Sequence, residues 1–299
     1  MPLRLFSAAG DDRIGEQFAM LKLMYITNRP EIARIAEAAG VDRIFVDMEY
    51  LGKEARQHGL DTVKSHHTAQ DAAAIKAVLK TADLMVRVNP IHNALPGIPS
   101  SGEEIDAAVS AGADVIMLPY FKTVDEVRTF LALVGGRAKT MLLFETPEAV
   151  ALADEILALP GIDEIHVGLN DLSIGMGQRF LFQPLADGTL DALCPKFLAR
   201  GIPFGFGGIA RLGKGSIPAE IIIREHYRLG SVRAILSRSF CNTDKTTGLD
   251  EIADTFREGL TELRRFEAAF DRTPEALAEN HAELQRRVAR VVRQMEEQP

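Results

Sequence analysis

Eight short apolar runs, each separated from the next by an amphipathic segment, constrain this chain more than any other feature. They are "LKLMYIT" (21–27), "RIFVDM" (43–48), "LMVRVN" (84–89), "VIMLPY" (115–120), "TMLLFET" (140–146), "EIHVGLN" (164–170), "IPFGFGG" (202–208) and "RAILSRS" (233–239). Near-continuous apolar character is expected of parallel strands covered on both faces. Between them, "RPEIARIAEAAG" has its apolar residues at helical spacing and ends in Gly, a C-terminal stop. "TAQDAAAIKAVLK" places Asp71 three residues after Thr68, the spacing of a capping box. "SGEEIDAAVSAG", "TVDEVRTFLALVGG" and "TPEAVALADEILALPG" repeat the design. Strands alternating with helices imply a parallel sheet with right-handed crossovers. Eight such units within residues 1–247 predict a (β/α)8 TIM barrel. A doubly wound open sheet is the competitor, but no Gly-x-Gly-x-x-Gly follows the first run.

From residue 248 to 299 the pattern is helical only. "LDEIADTFREGLTELRRFEAAF" and "PEALAENHAELQRRVARVVRQMEEQ" are long and amphipathic, with Pro274 starting the second. Their apolar stripes need a partner, either the barrel wall or a neighbouring subunit, and a homo-oligomer is expected.

A formal net charge of −8 argues against nucleic acid or an anionic membrane as the main partner, which leaves a small molecule. No apolar run approaches the roughly 20 residues of a membrane span, and the first residues lack a signal peptide's layout. Cys194 and Cys241 are the two cysteines, without metal-like spacing, so a cytoplasmic protein without a disulfide framework is expected.

Functional groups of a TIM barrel sit at the C-terminal ends of its strands. The second run ends with Asp47 and Glu49, two positions apart and so aimed the same way. The third carries Arg87, the fifth ends in Glu145, and the sixth ends in Asn170 and Asp171. Adjacent strands lie about 4.8 Å apart, so Glu145 and Asp171 would repel unless a cation lay between them. Oxygen ligands without a Cys/His cluster suit Mg²⁺ or Mn²⁺. Arg87 then offers a planar fork to a carboxylate or enolate oxygen. Together these parts describe a site that binds a 2-oxo acid and stabilises its enolate, with Asp47 and Glu49 orienting Arg87 or holding bound waters. Singly, each acid could equally cap a helix or sit in solvent, and Arg87 could be a structural ion-pair partner.

The stretches "LMYITNRPEIARIAEAAGVDRIFVDMEYLGKEAR", "VRVNP", "LLFETPEAV" and "IDEIHVGLNDLSIGMG" occur in an order that resembles the HpcH/HpaI aldolase and citrate lyase β-subunit family, over most of the chain. The resemblance implies a phosphoenolpyruvate/pyruvate-type barrel with a divalent metal at Glu145 and Asp171. It also implies that Arg87 meets the pyruvyl oxygen and that backbone amides of Gly168, Leu169 and Asn170 grip the carboxylate. The implied chemistry is cleavage or formation of a C–C bond next to a pyruvate or acetyl-CoA enolate. Aldolases of the group usually carry His where this chain has Tyr50, and Gln where it has Leu143. The lyase branch shows a following Lys and Ala-Arg, which "DMEYLGKEAR" partly matches.

A phenol with an ordinary pKa near 10 is a poor base at neutral pH, which makes Tyr50 a substrate contact at most. His66 and His67 of "KSHHT" are the expected proton-transfer residues, on a long segment before the next helix. His92 is a weaker candidate, and His166, inside the sixth run, reads as a satisfied core or barrel-interior residue. "GFGGIARLGKGS" brings Gly207, Gly208, Arg211 and Lys214 to the same rim, where backbone amides could hold a substrate's far end. The expected activity is a divalent-metal-dependent aldolase or lyase acting on a 2-oxo acid. A CoA-ester lyase of the citryl or malyl kind, or a non-catalytic oxo-acid-binding barrel, are the alternatives.

Overall fold

In the computed structural model, which describes residues 20–52, 67–246 and 248–297, eight parallel strands close in sequence order into a barrel. They are β1 (Lys22–Ile26), β2 (Arg43–Asp47), β3 (Asp83–Arg87), β4 (Val115–Leu118), β5 (Lys139–Phe144), β6 (Glu164–Val167), β7 (Phe204–Ile209) and β8 (Arg233–Leu236). Each lies within or across one of the eight apolar runs. β8 pairs with β1 to close the ring, so no edge is left unpaired.

Helices start where the sequence supplies a cap. Thr68, Ser100 and Thr123 each make a reciprocal capping box with Asp71, Glu103 and Glu126. Gly40, Gly135 and Gly230 end their helices in the left-handed region, which costs Gly little. The segment 146–160, expected as one helix, breaks at Leu152 (φ −94°, ψ 12°) into Pro147–Ala151 and Ala153–Ile156. The break turns Ala153 and Ile156 fully into the core.

Inside the barrel, side chains alternate with the pleat and fall into layers. The N-terminal floor is charged: Arg43 donates to Glu164 (2.6 Å) and Asp83 (2.9 Å), and Arg233 donates to Glu164 (2.9 Å). Above it sits an apolar layer that includes Met24, Phe45, Met85, Met117, Met141 and Leu143. The next inward positions are Asp47, Arg87, Glu145, His166 and Gly168, at the C-terminal rim. A larger core fills the space between strands and surrounding helices.

Both C-terminal helices lie on the barrel's own wall. Leu249–Ala269 packs on the helix Pro30–Ala39 and buries Ile252, Phe256, Leu260 and Leu263, with Phe256 edge-on to Tyr25 of β1. Its Glu267 accepts from the Leu21 amide (2.9 Å) and from the Tyr227 hydroxyl (2.9 Å). Pro274–Glu297 packs on Ala219–Leu229, where Asn280 donates to Glu225 (2.8 Å) and to the Ile221 carbonyl (3.1 Å).

Candidate active site at the C-terminal rim

The strand ladder stops one or more residues short of several site residues. β5 ends at Phe144, so Glu145 is the first residue beyond it, and Glu49 lies two residues beyond β2. Asn170 and Asp171 do not end a strand. β6 stops at Val167, and both residues belong to the first turn of a short helix, Leu169–Gly175. That turn leaves the amides of Leu169 and Asn170 without intrahelical acceptors. The Gly168 amide, expected to grip a carboxylate with them, is already spent on the Phe144 carbonyl at 3.0 Å, because it continues the β5–β6 ladder.

A cavity of about 230 Å³ opens at this rim, lined by Arg87, Glu145, His166, Asn170, Asp171 and Ser237 among others. Gly168, Leu169, Gly207 and Gly208 also line it. Gly168 is required by close approach: a Cβ there would lie 2.8 Å from both Cβ and Oε2 of Glu145. Glu145 is buried and takes the Tyr120 amide on Oε1 at 2.9 Å. Tyr120 itself has φ +47°, the one positive φ at a non-glycine among the described residues.

Arg87 is held from behind. Asp47 accepts from Nε and Nη2, both at 2.8 Å, and Glu49 lies 3.4 Å from Nε. Burial works against the charge, but Asp47 and Glu49 beside it hold the guanidinium well above its ordinary pKa. Asp47 and Glu49 are themselves 2% and 1% exposed, so they stand behind Arg87 rather than lining the cavity. The Nη1 edge of Arg87 carries no hydrogen bond to the described residues.

Tyr50 does not line the cavity. It is 41% exposed, and its amide and that of Leu51 both donate to Asn89 Oδ1 at 2.9 Å. Burial, then the nearby Glu104, pushes its phenol above the usual value, which leaves still less phenolate available at neutral pH. His66 lies outside the described residues. His67 is described, and its Nδ1 accepts the Asp47 amide at 3.0 Å. A neutral ring in that position carries its proton on Nε2, so it presents a donor there.

His166, read as a core or barrel-interior residue, is buried inside the barrel and also lines the cavity; its Nε2 pairs with the Gly207 carbonyl at 3.2 Å. Burial pushes the imidazole down to about 4, with Arg233 and Arg87 acting the same way. His92 is engaged elsewhere, its ring nitrogens on the carbonyls of Pro90 (2.7 Å) and Pro99 (2.9 Å). Gly207 and Gly208 belong to β7, where a register shift between Gly205 and Gly208 turns them toward the cavity. Arg211, in the loop that follows, pairs with Glu262 at 3.4 Å. Sequence reasoning missed Tyr120, because "LPYF" gives no sign of a left-handed residue. It also missed Asn89, although its two-residue offset from Arg87 in "VRVN" is a legible signal.

The model of the HpcH/HpaI aldolase/citrate lyase family matches residues 22–180, which span β1 to the segment after the Leu169–Gly175 helix and include Arg87, Glu145 and Asp171. The chain belongs to the HpcH/HpaI aldolase/citrate lyase family. Solved structures agree at the level of fold. An HpcH/HpaI aldolase/citrate lyase family protein from Burkholderia cenocepacia J2315 superposes with a TM-score of 0.57 at 16% identity, covering 86% of this chain and 100% of that one. An HpcH/HpaI aldolase from Desulfitobacterium hafniense DCB-2 gives 0.54 at 16% identity, over 76% of this chain and 89% of that one. Macrophomate synthase gives 0.52 at 16% identity, over 76% and 82%. No match was found among curated proteins. This HpcH/HpaI-family chain is thus a lyase-type barrel. Members are generally dependent on a divalent metal. Among the described residues no three His, Cys, Asp or Glu side chains gather as a metal site. What the rim offers is two carboxylates, Glu145 and Asp171, on one cavity. A hard ion that keeps several waters and takes further oxygens from its substrate fits such a pair.

Proposed function

We propose that this protein is a divalent-metal-dependent aldolase or lyase that makes or breaks a C–C bond of a 2-oxo acid through a pyruvate-type enolate. The observation that carries the reading is the convergence of Arg87, Glu145, Asp171 and the first-turn amides after Gly168 on one small cavity. At about 230 Å³ it suits a short acid rather than a large head group.

Glu145 and Asp171 would hold Mg²⁺ or Mn²⁺, which when bound supplies Lewis-acid polarisation of the 2-oxo group. The amides of Leu169 and Asn170 would bind the substrate carboxylate through donors that the helix itself cannot use. Arg87, fixed by Asp47, offers its Nη1 edge to the oxygen that gains charge as the enolate forms. Because the guanidinium is held before the reaction, little reorganisation is needed when charge develops. His67, with Nδ1 taken by the Asp47 amide, would act through its Nε2–H as a proton donor. For it to act as a base, the Nδ1 contact with Asp47 would first have to break. Gly207 and Gly208 would contact the substrate's far end; Tyr50, outside the cavity lining, would not.

The test is release of pyruvate from hydroxy-oxo acids, sugar-like acids and CoA esters, each with and without Mn²⁺. Cleavage of hydroxy-oxo acids only with metal supports the proposal. Preference for CoA esters would make it a citryl- or malyl-type lyase, and binding without turnover would make it a sensor.

A further inference from the structure

Asn89 and Glu104 lie outside the cavity lining, yet they are among the most thoroughly bonded polar pairs of the barrel. Asn89 is 1% exposed and Glu104 7%. Asn89 follows β3 by two residues, and Glu104 sits on the helix Ser101–Ser110. Glu104 accepts from the Asn89 amide (3.2 Å to Oε1, 3.1 Å to Oε2) and from Asn89 Nδ2 (2.7 Å). Since Glu104 must receive the NH₂ group, the carboxamide orientation is chemically decided, and Oδ1 faces the other way. There it accepts two consecutive amides, Tyr50 and Leu51, at 2.9 Å each.

Those amides open the turn that reverses at Gly52 (φ +72°), immediately after Glu49. Glu49 in turn stands 3.4 Å from Arg87 Nε, and its own amide donates to Asp47 Oδ1 at 3.2 Å. Hydrogen bonds therefore run from Glu104 through Asn89 to the Tyr50 and Leu51 amides, and the backbone joins these directly to Glu49, whose carboxylate and amide meet Arg87 and Asp47. Nothing else among the described residues accepts the Tyr50 amide.

We propose that Asn89, anchored by Glu104, is a positioning residue that holds the Tyr50–Gly52 turn and so keeps Glu49 and Asp47 clamped on Arg87. Its effect on rate rests on the 2-oxo-acid reading of the site, but its effect on the turn does not.

The test uses the full-length protein, with pyruvate as the probe and two readouts. Enolisation is followed as exchange of the pyruvate methyl protons for deuterium by proton NMR, with Mn²⁺ present. Local order is followed as amide hydrogen exchange of the segment 48–52. Asn89→Ala should lose amide protection at Tyr50 and Leu51 and slow methyl exchange at saturation by roughly 10²-fold, the cost of a small misplacement at a reacting centre. The pyruvate KM should move much less. Because that variant leaves Glu104 buried with only the backbone amide of residue 89 as its donor, a second pair keeps the test sharp. Asn89→Asp sets two carboxylates against each other and should be impaired like the alanine variant. Adding Glu104→Gln reverses the polarity of the pair, with the Gln amide donating and the Asp accepting, and should restore both readouts to within a few fold. Retained protection at Tyr50 and Leu51 in a folded Asn89→Ala protein overturns the inference, as does a folded double variant without recovery. If the unmodified protein does not exchange pyruvate protons, the proposed function falls, while the amide readout still decides the role of Asn89.

Discussion

Asp47 and Arg87 are cross-strand register partners of β2 and β3, and they meet through two 2.8 Å bonds in a bidentate clamp. The opening carboxylate of "DME" is therefore the fixed half of an ion pair whose other half faces the cavity. Arg87→Lys keeps the charge but cannot reproduce the fork. We expect kcat on the true substrate to fall roughly 10²-fold or more, the usual cost of one preorganised donor. Near-normal kcat in the lysine variant would make Arg87 structural. Asp47→Ala leaves the guanidinium with Glu49 alone and should destabilise the fold by about 3 kcal/mol or more, measured by urea unfolding.

Glu145 and Asp171 are expected to govern metal affinity. Calorimetric titration with Mn²⁺ should show binding abolished in Glu145→Ala and in Asp171→Ala, with thermal stability of the metal-free protein little changed. Gly168→Ala offers a subtler check. The backbone there (φ −84°) tolerates alanine, so the only effect is the Cβ at 2.8 Å from the Glu145 side chain. Mn²⁺ affinity should weaken as that carboxylate shifts, and an unchanged affinity would show that Glu145 is not a ligand.

Proton transfer is expected from the His66–His67 pair and not from Tyr50. Replacing both histidines by Gln should suppress C–C cleavage and remove the limb of the kcat/KM pH profile near neutrality, with Mn²⁺ affinity intact. Tyr50→Phe should be milder, because its phenol is shifted away from neutrality and does not line the cavity. A dead Tyr50→Phe beside an active double-histidine variant reverses the assignment.

His166 should make the fold sensitive to mild acid. Its folded pKa, about 4, lies below the ordinary value of 6.5. Above pH 6.5 neither state carries the proton and stability is flat with pH. As pH falls from 6.5 toward 4, the unfolded chain takes up a proton that the buried ring refuses, so stability is lost. By pH 5 the loss is about 2 kcal/mol. His226, pushed down to about 3 by burial, adds a slope of the same sign. Comparing urea midpoints at pH 7.5 and pH 5, His166→Phe should show a clearly smaller drop than the unmodified protein. An equal drop would assign the sensitivity to other groups.

The barrel was legible because its strands are covered on both faces, so each appears as an apolar run, and because the helix caps follow local chemistry that any three or four residues can satisfy. Thr68–Asp71 and Gly40 did what their spacing predicts. The acids beyond β2 and β5, and the Arg that closes β3, were legible too, since barrel topology assigns strand ends to one rim before any contact is known. Contacts between elements were not legible. A continuous apolar run hides which residues point inward, so the charged floor of Arg43, Glu164 and Arg233 is visible only once register fixes the alternation. The same holds for His166, whose place on the cavity wall depends on β6 stopping at Val167. Tyr120, left-handed in its backbone, gives its amide to the Glu145 carboxylate 25 residues away, and Asn89 finds Tyr50 and Leu51 across a loop. Local sequence thus determined the elements and their order. Tertiary structure alone decided partners, because a buried polar group is satisfied by whichever donor or acceptor the closed barrel brings within reach.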